Sequence, residues 1–342
     1  MFLVRLGLSL AVGICSLIVT LPTHANDTKL NGFLRAGGAI TTDDETYLER
    51  IDKNGDFGDT HFGLNISRNM GNNWTVAGQV FSSGAEGGSY EVILDWAYAS
   101  YQLSNEIVLN AGKIKYPGLL VSDYIDIGIA YPWVRAPQEV YNFDVEGRPN
   151  ISLESYVGGS AIYSSYMGDA EYSAQLFVGN GAVEEGSLDK MIGGMAKLSS
   201  ELYTLQLAFN RHMPNGTTGE GDVAAEKNGK DVSVFSLGAK VDWNNMLVMG
   251  EYVDATVSDE EELDTTAMYA TLGYQIGKYM PHLTYASLDA EEGSSTIGIG
   301  VKYQLSSSST FKIDYLNVTP DAEEGEEEES FGVVSAAIDF VF

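Results

Sequence analysis

The chain has 342 residues, with 48 acidic against 19 basic side chains and a formal net charge of −29. That surplus repels nucleic acid and anionic lipid, so no nucleic-acid partner is expected. A single cysteine rules out a disulfide framework, while 38 glycines, 20 tyrosines and a mean hydropathy of −0.07 speak against a large soluble core.

The N-terminus carries one basic residue, Arg5, then runs apolar from Leu6 to Leu21 and closes on Pro22, Thr23, His24 and Ala25. These are the parts of a secretory signal, and the apolar stretch is shorter than the roughly 20 residues a spanning helix needs. An uncleaved anchor is the competing reading, and the break at Pro22 argues against it. Lipidation at Cys15 is rejected, because bulky Ile14 precedes it and the apolar run continues past it. Residues 1–25 are read as a signal peptide and 26–342 as one domain beginning at Asn26.

From there the sequence reads as strands of roughly ten residues with alternating apolar and polar positions, the weak signature of membrane strands. Trp74, Val76, Gly78 and Val80 form one such set; Val92, Leu94, Trp96 and Tyr98 form the next. Tyr203 to Phe209, Phe235 to Trp243 and Ile297 to Tyr303 repeat the pattern. A side-chain period of two puts each apolar set on one face, read here as the lipid face.

Short turns are predicted at Gly71–Asn73, Ser104–Asn105, Met167–Asp169, Ser199–Ser200, Asn244–Asn245, Gly277–Lys278 and Ser306–Ser308. Longer loops fall near 41–58, 83–90, 116–151, 181–188, 213–230, 256–264, 289–293 and 319–329. Seven short turns alternating with eight longer loops predict sixteen strands. The fold class is an all-β transmembrane antiparallel barrel with a lumen wide enough for water. A secreted β-sandwich, the soluble alternative, does not explain that alternation. The chain end also speaks against it: Val334, Ala336, Ile338, Phe340 and Phe342 share one face, and a terminal aromatic carboxylate is unusual in a soluble domain.

At these residues a likeness to a family emerges. The final Phe342, with Phe340 and apolar residues at alternate positions before it, resembles the C-terminal assembly signal of outer-membrane porins. The stretch from Trp96 to Pro117 is similar to a hairpin of Gram-negative general porins. The likeness implies an outer-membrane location, with lipid and lipopolysaccharide around the wall. It also implies delivery by the barrel-assembly machinery and association into homotrimers. Family members often carry arginine on the wall where this chain has Asp95, which puts the usual cationic wall in doubt.

The lipid-facing phase assigns Arg35, Lys113, Lys115, Lys197, Lys240, Lys302 and Lys312 to the lumen. It assigns Glu91, Asp95, Glu171, Asp242, Glu251, Asp314 and Asp339 there as well, so the wall is close to neutral. The phase is least secure around Lys113 and Lys115, where a bulge would reverse it. The third loop, 116–151, is too long for an ordinary connection. The resemblance implies that it folds into the barrel and narrows it. Asp123, Asp126 and Glu139 would then be the acidic side of a constriction, facing Lys113, Lys115 and Arg35. Glu91, Asp95, Lys240 and Lys302 would line the wall.

The acidic runs Asp259–Glu262 and Glu323–Glu329 offer hard oxygen ligands that suit calcium or magnesium. Consecutive carboxylates on a loop are more often simply solvated, so no cofactor is expected and the metal question stays open. His61, His212 and His282 stand far apart in sequence with no nucleophile motif, so no enzyme is expected. The favoured expectation is passive diffusion of small hydrophilic solutes and ions with weak cation preference. A channel selective for sugars or small organic acids is the alternative, motivated by Tyr131, Trp133 and Tyr141 in the third loop. A structural or adhesive surface barrel is a third.

Overall fold

The computed structural model describes residues 28–85, 90–141, 154–183, 186–215, 229–260, 263–290, 293–322 and 329–342. The expected signal peptide, the end of the third loop and most of the acidic run at 323–329 lie outside them. The strands of the first half are β1 (Thr28–Thr41), β2 (His61–Gly71), β3 (Trp74–Ser83), β4 (Val92–Gln102), β5 (Ile107–Lys115), β6 (Ser155–Met167), β7 (Ala170–Val183) and β8 (Gly186–Ser199). Those of the second half are β9 (Tyr203–Asn215), β10 (Val232–Trp243), β11 (Met246–Val257), β12 (Thr265–Tyr274), β13 (Tyr279–Asp289), β14 (Ser294–Ser306), β15 (Ser309–Pro320) and β16 (Phe331–Val341). Each pairs antiparallel with its sequence neighbours, and β1 pairs with β16, so the sheet closes. Closure leaves no backbone edge, which is what allows a sheet to cross a bilayer.

Alternation decides the two faces. On β9, Leu205, Leu207 and Phe209 are exposed outward while Gln206, Ala208 and Asn210 are buried inward. Ile297 and Ile299 on β14 and Ile313 on β15 continue the outer apolar band. Near the short turns aromatic residues gather: exposed Trp74 lies 4.9 Å from half-buried Tyr101, and exposed Tyr279 4.7 Å from half-buried Tyr303. Such rings suit a membrane–water boundary, apolar in body and polar at the tip.

The closing seam uses the last residue. Phe342 and Gly32 exchange backbone hydrogen bonds of 3.0 and 2.8 Å. A β-carbon at position 32 would stand 2.5 Å from the Phe342 ring, so glycine there lets the ring lie over β1. Phe340, opposite Leu34, faces outward beside it.

All seven expected short turns join the strands where the sequence places them; Asn72–Asn73 and Asn244–Asn245 take positive φ, as two-residue hairpins require. Two features differ from expectation. β7 continues to Val183 and β8 starts at Gly186, so the fourth connection is far tighter than 181–188. The second is a bulge in β4. Gln79 pairs with Trp96 and Val80 with Leu94, which leaves Asp95 as the extra residue. The bulge reverses the phase after Asp95. Trp96, Tyr98 and Ser100 therefore face the lumen, and only Val92 and Leu94 of the expected lipid-facing set remain outside.

Candidate functional site

The third connection, L3, leaves β5 at Tyr116 and turns into the barrel. Its described part contains two 3₁₀ turns, Ser122–Tyr124 and Gly128–Ala130, and a single helical turn, α1 (Gln138–Tyr141). Its sequence is rich in apolar residues, and the wall it meets is apolar on its inner face too. Leu119, Leu120, Val121, Trp133, Val140 and Tyr141 pack against Val234 of β10, Met249 and Val253 of β11, Tyr269 of β12 and Leu288 of β13. Burying each such side chain contributes roughly 1.5–3 kcal/mol, enough to hold a loop away from water.

Polar anchors fix the register. Leu120 N donates to Glu251 at 2.7 Å, and the Tyr141 hydroxyl donates to the same carboxylate. Trp133 Nε1 reaches Thr271 and Thr284 at 3.0 and 2.9 Å, with its ring edge-on to Tyr269. Val134 N donates to Asp314 at 2.6 Å. Lys302 Nζ donates to Ile129 O at 2.6 Å. The buried Lys312 donates to Gly128 O, to Trp133 O at 2.7 Å, and lies 3.3 Å from Asp339 with Tyr131 beneath it at 4.3 Å. Arg35 completes the set, bonding Asp339 at 2.6 Å and Val134 O. A β-carbon at Gly128 would run into the Arg35 guanidinium and the Asp339 carboxylate, so glycine there lets the loop press onto this pair. Buried cations without such partners would be strongly destabilising.

A second link joins L3 to the first loop. Asp59 receives Arg135 Nε and Arg50 at 2.9 Å, while Arg135 also donates to Ser335 at 2.7 Å. Burial alone would raise the Asp59 carboxyl, but Arg135 and Arg50 outweigh it and hold it at about 2.

Between L3 and part of the facing wall a space remains. A chamber of about 340 Å³ lies between the loop and the inner faces of β2 to β7. Asp123, Tyr124, Asp126 and Ile127 bound it on the loop side; Asn65, Gln79, Trp96, Tyr98, Asn110 and Gln175 bound it on the wall side. Lys115 bridges the two, 2.8 Å from Asp126 and 3.5 Å from Asp95. Burial would raise the Asp126 carboxyl, yet the Lys115 ammonium outweighs that and lowers it. Its backbone carbonyl accepts a hydrogen bond from His61 Nε2 at 3.0 Å. Asp123 is half exposed and lies 3.5 Å from Lys197.

The residues expected at a constriction are thus dispersed. Asp123, Asp126 and Lys115 meet at the chamber. Glu139 lies behind the loop, buried and bonded by Thr296. Arg35 lies under the loop, its charge committed to Asp339 and Val134. Lys113 is on the outer face, paired across from exposed Val157, with its amine on Leu94 O at 2.8 Å. The bulge at Asp95 is the physical reason for that reversal. Of the expected wall residues, Asp95 is buried beside Gln79, Lys302 holds L3, Lys240 faces inward opposite Thr204, and Glu91 is exposed just before β4 at the loop end. Tyr131, Trp133 and Tyr141, expected to offer stacking surfaces, are buried packing residues. Sequence reasoning missed Trp96 and Tyr98 as lumen residues, and Lys197 as the partner of Asp123.

Among the described residues no group of three or more histidine, cysteine or acidic side chains is placed to hold a metal. Glu260 of the acidic run at 259–262 pairs with Lys230 at 2.7 Å, while residues 261 and 262 lie outside the description.

No protein-family model matches the chain, and none of the curated proteins matches it. Solved structures do. OmpT, expressed in the outer membrane of Vibrio cholerae, superposes with a TM-score of 0.60 at 13% identity over 94% of this chain and 99% of its own. OmpF of Salmonella typhi, in complex with daunomycin, gives 0.62 at 14% identity over 92% and 97%. The outer-membrane channel DcaP of Acinetobacter baumannii gives 0.60 at 13% identity over 94% and 99%. With the apolar outer wall and the closed seam, these likenesses make the chain a sixteen-strand barrel of the outer-membrane porin fold.

Proposed function

We propose that the protein is an outer-membrane porin, a passive, non-enzymatic conduit for small hydrophilic solutes and ions. The observation that carries this reading is the polar chamber left open beside L3. A barrel filled throughout would be a plug; a polar chamber of this size left beside L3 is the space that passage of small hydrophilic solutes requires. Two carboxylates, Asp123 and Asp126, and one ammonium, Lys115, line that chamber, with Asp95 buried behind Lys115 and Lys197 3.5 Å from Asp123. The net of one negative charge supports a weak cation preference. At physiological salt the field of the outer acidic loops fades over roughly 8 Å, so the chamber sets what preference remains.

Assembly into homotrimers through the apolar walls, within lipid and lipopolysaccharide, belongs to the same proposal, as does insertion by the barrel-assembly machinery from a signal-bearing precursor. Light scattering of detergent-extracted protein near three times the monomer mass is the expected result for the trimer. Purified protein in planar bilayers should give stepwise ohmic conductance, with a reversal potential of cationic sign in a salt gradient. Asp123→Asn with Asp126→Asn should reduce that potential. No conductance would overturn the channel reading, and an anion-selective pore would overturn the charge assignment.

The second reading, a solute-selective channel, now rests on different rings from those the sequence singled out: Trp96 and Tyr98, which the bulge turns into the chamber.

A further inference from the structure

We propose that the chamber wall is a binding subsite for neutral polyhydroxylated solutes, saccharides of one or two rings, with Trp96 and Tyr98 as its platform. The inference rests on the channel reading above and deepens it.

Three observations carry it. First, the bulge at Asp95 places Trp96 and Tyr98, two residues apart, on the same inner face, with ring centroids 5.5 Å apart and planes inclined by 31°. Both line the chamber and both are half-buried, so each keeps surface for a solute. A pyranose ring presents a face of C–H groups, and an aromatic ring is the protein surface that matches it, apolar yet electron-rich.

Second, the wall around the rings is a run of amides and hydroxyls. Asn65 and Gln79 stand on one side, Asn110 and Gln175 on the other. Ser100, Asn110 and Ser160 are linked at 2.5 and 3.3 Å, which positions the Asn110 amide. Asn65 and Asn110 are half-buried and keep amide surface toward the chamber, with buried Gln79, bonded to Asp95, and buried Gln175 behind them; an amide offers both donors and acceptors, and a sugar hydroxyl is likewise both. Such a wall exchanges hydrogen bonds with a neutral polyol in many orientations, as a solute in transit requires.

Third, the charges at the chamber are partnered. Lys115 is shared between Asp126 and Asp95, and Lys197 lies near Asp123. An ionised solute has to compete with these contacts; a neutral one leaves them intact. The chemistry of the chamber therefore favours uncharged polar solutes.

The test uses the purified full-length barrel in planar bilayers at high salt, with maltose and glucose as probes and gluconate as the charged control. Maltose should interrupt the open-channel current in a saturable way, and gluconate should do so far less. Trp96→Leu, which keeps apolar bulk but removes the ring, should raise the half-blocking maltose concentration by roughly three- to tenfold, read as the fraction of that variant's own open-channel current that is blocked. Should that variant fail to fold, Asn110→Leu tests the amide run by the same readout. Wild-type current with no saturable block, or a block unchanged in the folded variant, overturns the subsite and leaves the channel reading standing. Absence of any current overturns both.

Discussion

The two halves of the lumen are built from the same alternating strands but have opposite fates. From β9 round to β1 L3 packs on the inner face, and most of the ionisable side chains there hold it. Glu251, Lys302, Lys312 and Asp314 each bond an L3 backbone atom, as does Arg35. From β2 to β7 the inner face borders the chamber, where amides, hydroxyls and two aromatic rings predominate, apart from the buried cluster of Tyr156 and Phe177. Lumen charge is therefore a poor guide to where solutes pass. In this barrel most of the charged inner wall holds a loop, and the less charged wall lines the open space.

Breaking what both halves share should have the largest effect. Deletion of Phe342 removes the paired backbone bonds to Gly32 and the ring over the seam, so the yield of heat-modifiable barrel in the membrane fraction should fall severalfold. Next comes the covered half alone. Asp339→Ala leaves Arg35 and Lys312 without their shared carboxylate, at a cost of about 3 kcal/mol. The barrel should still form, melt earlier, and conduct more because L3 is released. Gly128→Ala should act in the same direction more mildly, as a rise in conductance and current noise, since the added methyl displaces the 3₁₀ turn from Arg35.

The smallest effect concerns pH. Asp59 is held at about 2, below the ordinary 3.8, so its link to Arg135 and Arg50 is intact at neutral pH. That contribution, of about 2 kcal/mol, is present above pH 4 and lost as pH falls toward 2. A melting midpoint that drops between pH 4 and 2, and drops less in Asp59→Asn, is the expected outcome.

Much of the architecture was legible in the sequence because turn residues and the two-residue period are local signals. Asn72–Asn73 and Asn244–Asn245 mark hairpins by their own backbone preferences, and Leu205, Leu207 and Phe209 mark a face. The bulge at Asp95 was not legible, since one extra residue changes parity without changing composition. With it went the placement of Lys113, Trp96 and Tyr98. The resting place of L3 left a trace that alternation alone did not decode. Val232, Val234, Met249, Val253, Ala267, Tyr269, Ala286 and Leu288 are apolar on the inner face of a wall otherwise expected to be wet. Apolar residues on both faces signal cover on both faces. The ion pairs beneath the loop join residues up to 304 positions apart and have no local signature.

Thiol accessibility tests directly whether the wall beside the chamber is reached by solvent while the wall under L3 is closed. The sole cysteine of the sequence is Cys15, so the barrel from Thr28 onward has none of its own. Single cysteines at Asn65 and Asn110, on the open wall, should react with a charged water-soluble thiol reagent in the reconstituted protein and lower the channel current. Cysteines at Ser236 and Thr284, buried under L3, should remain unreacted until the barrel is denatured. Equal labelling of the two pairs, or labelling of Ser236→Cys and Thr284→Cys alone, would contradict the account.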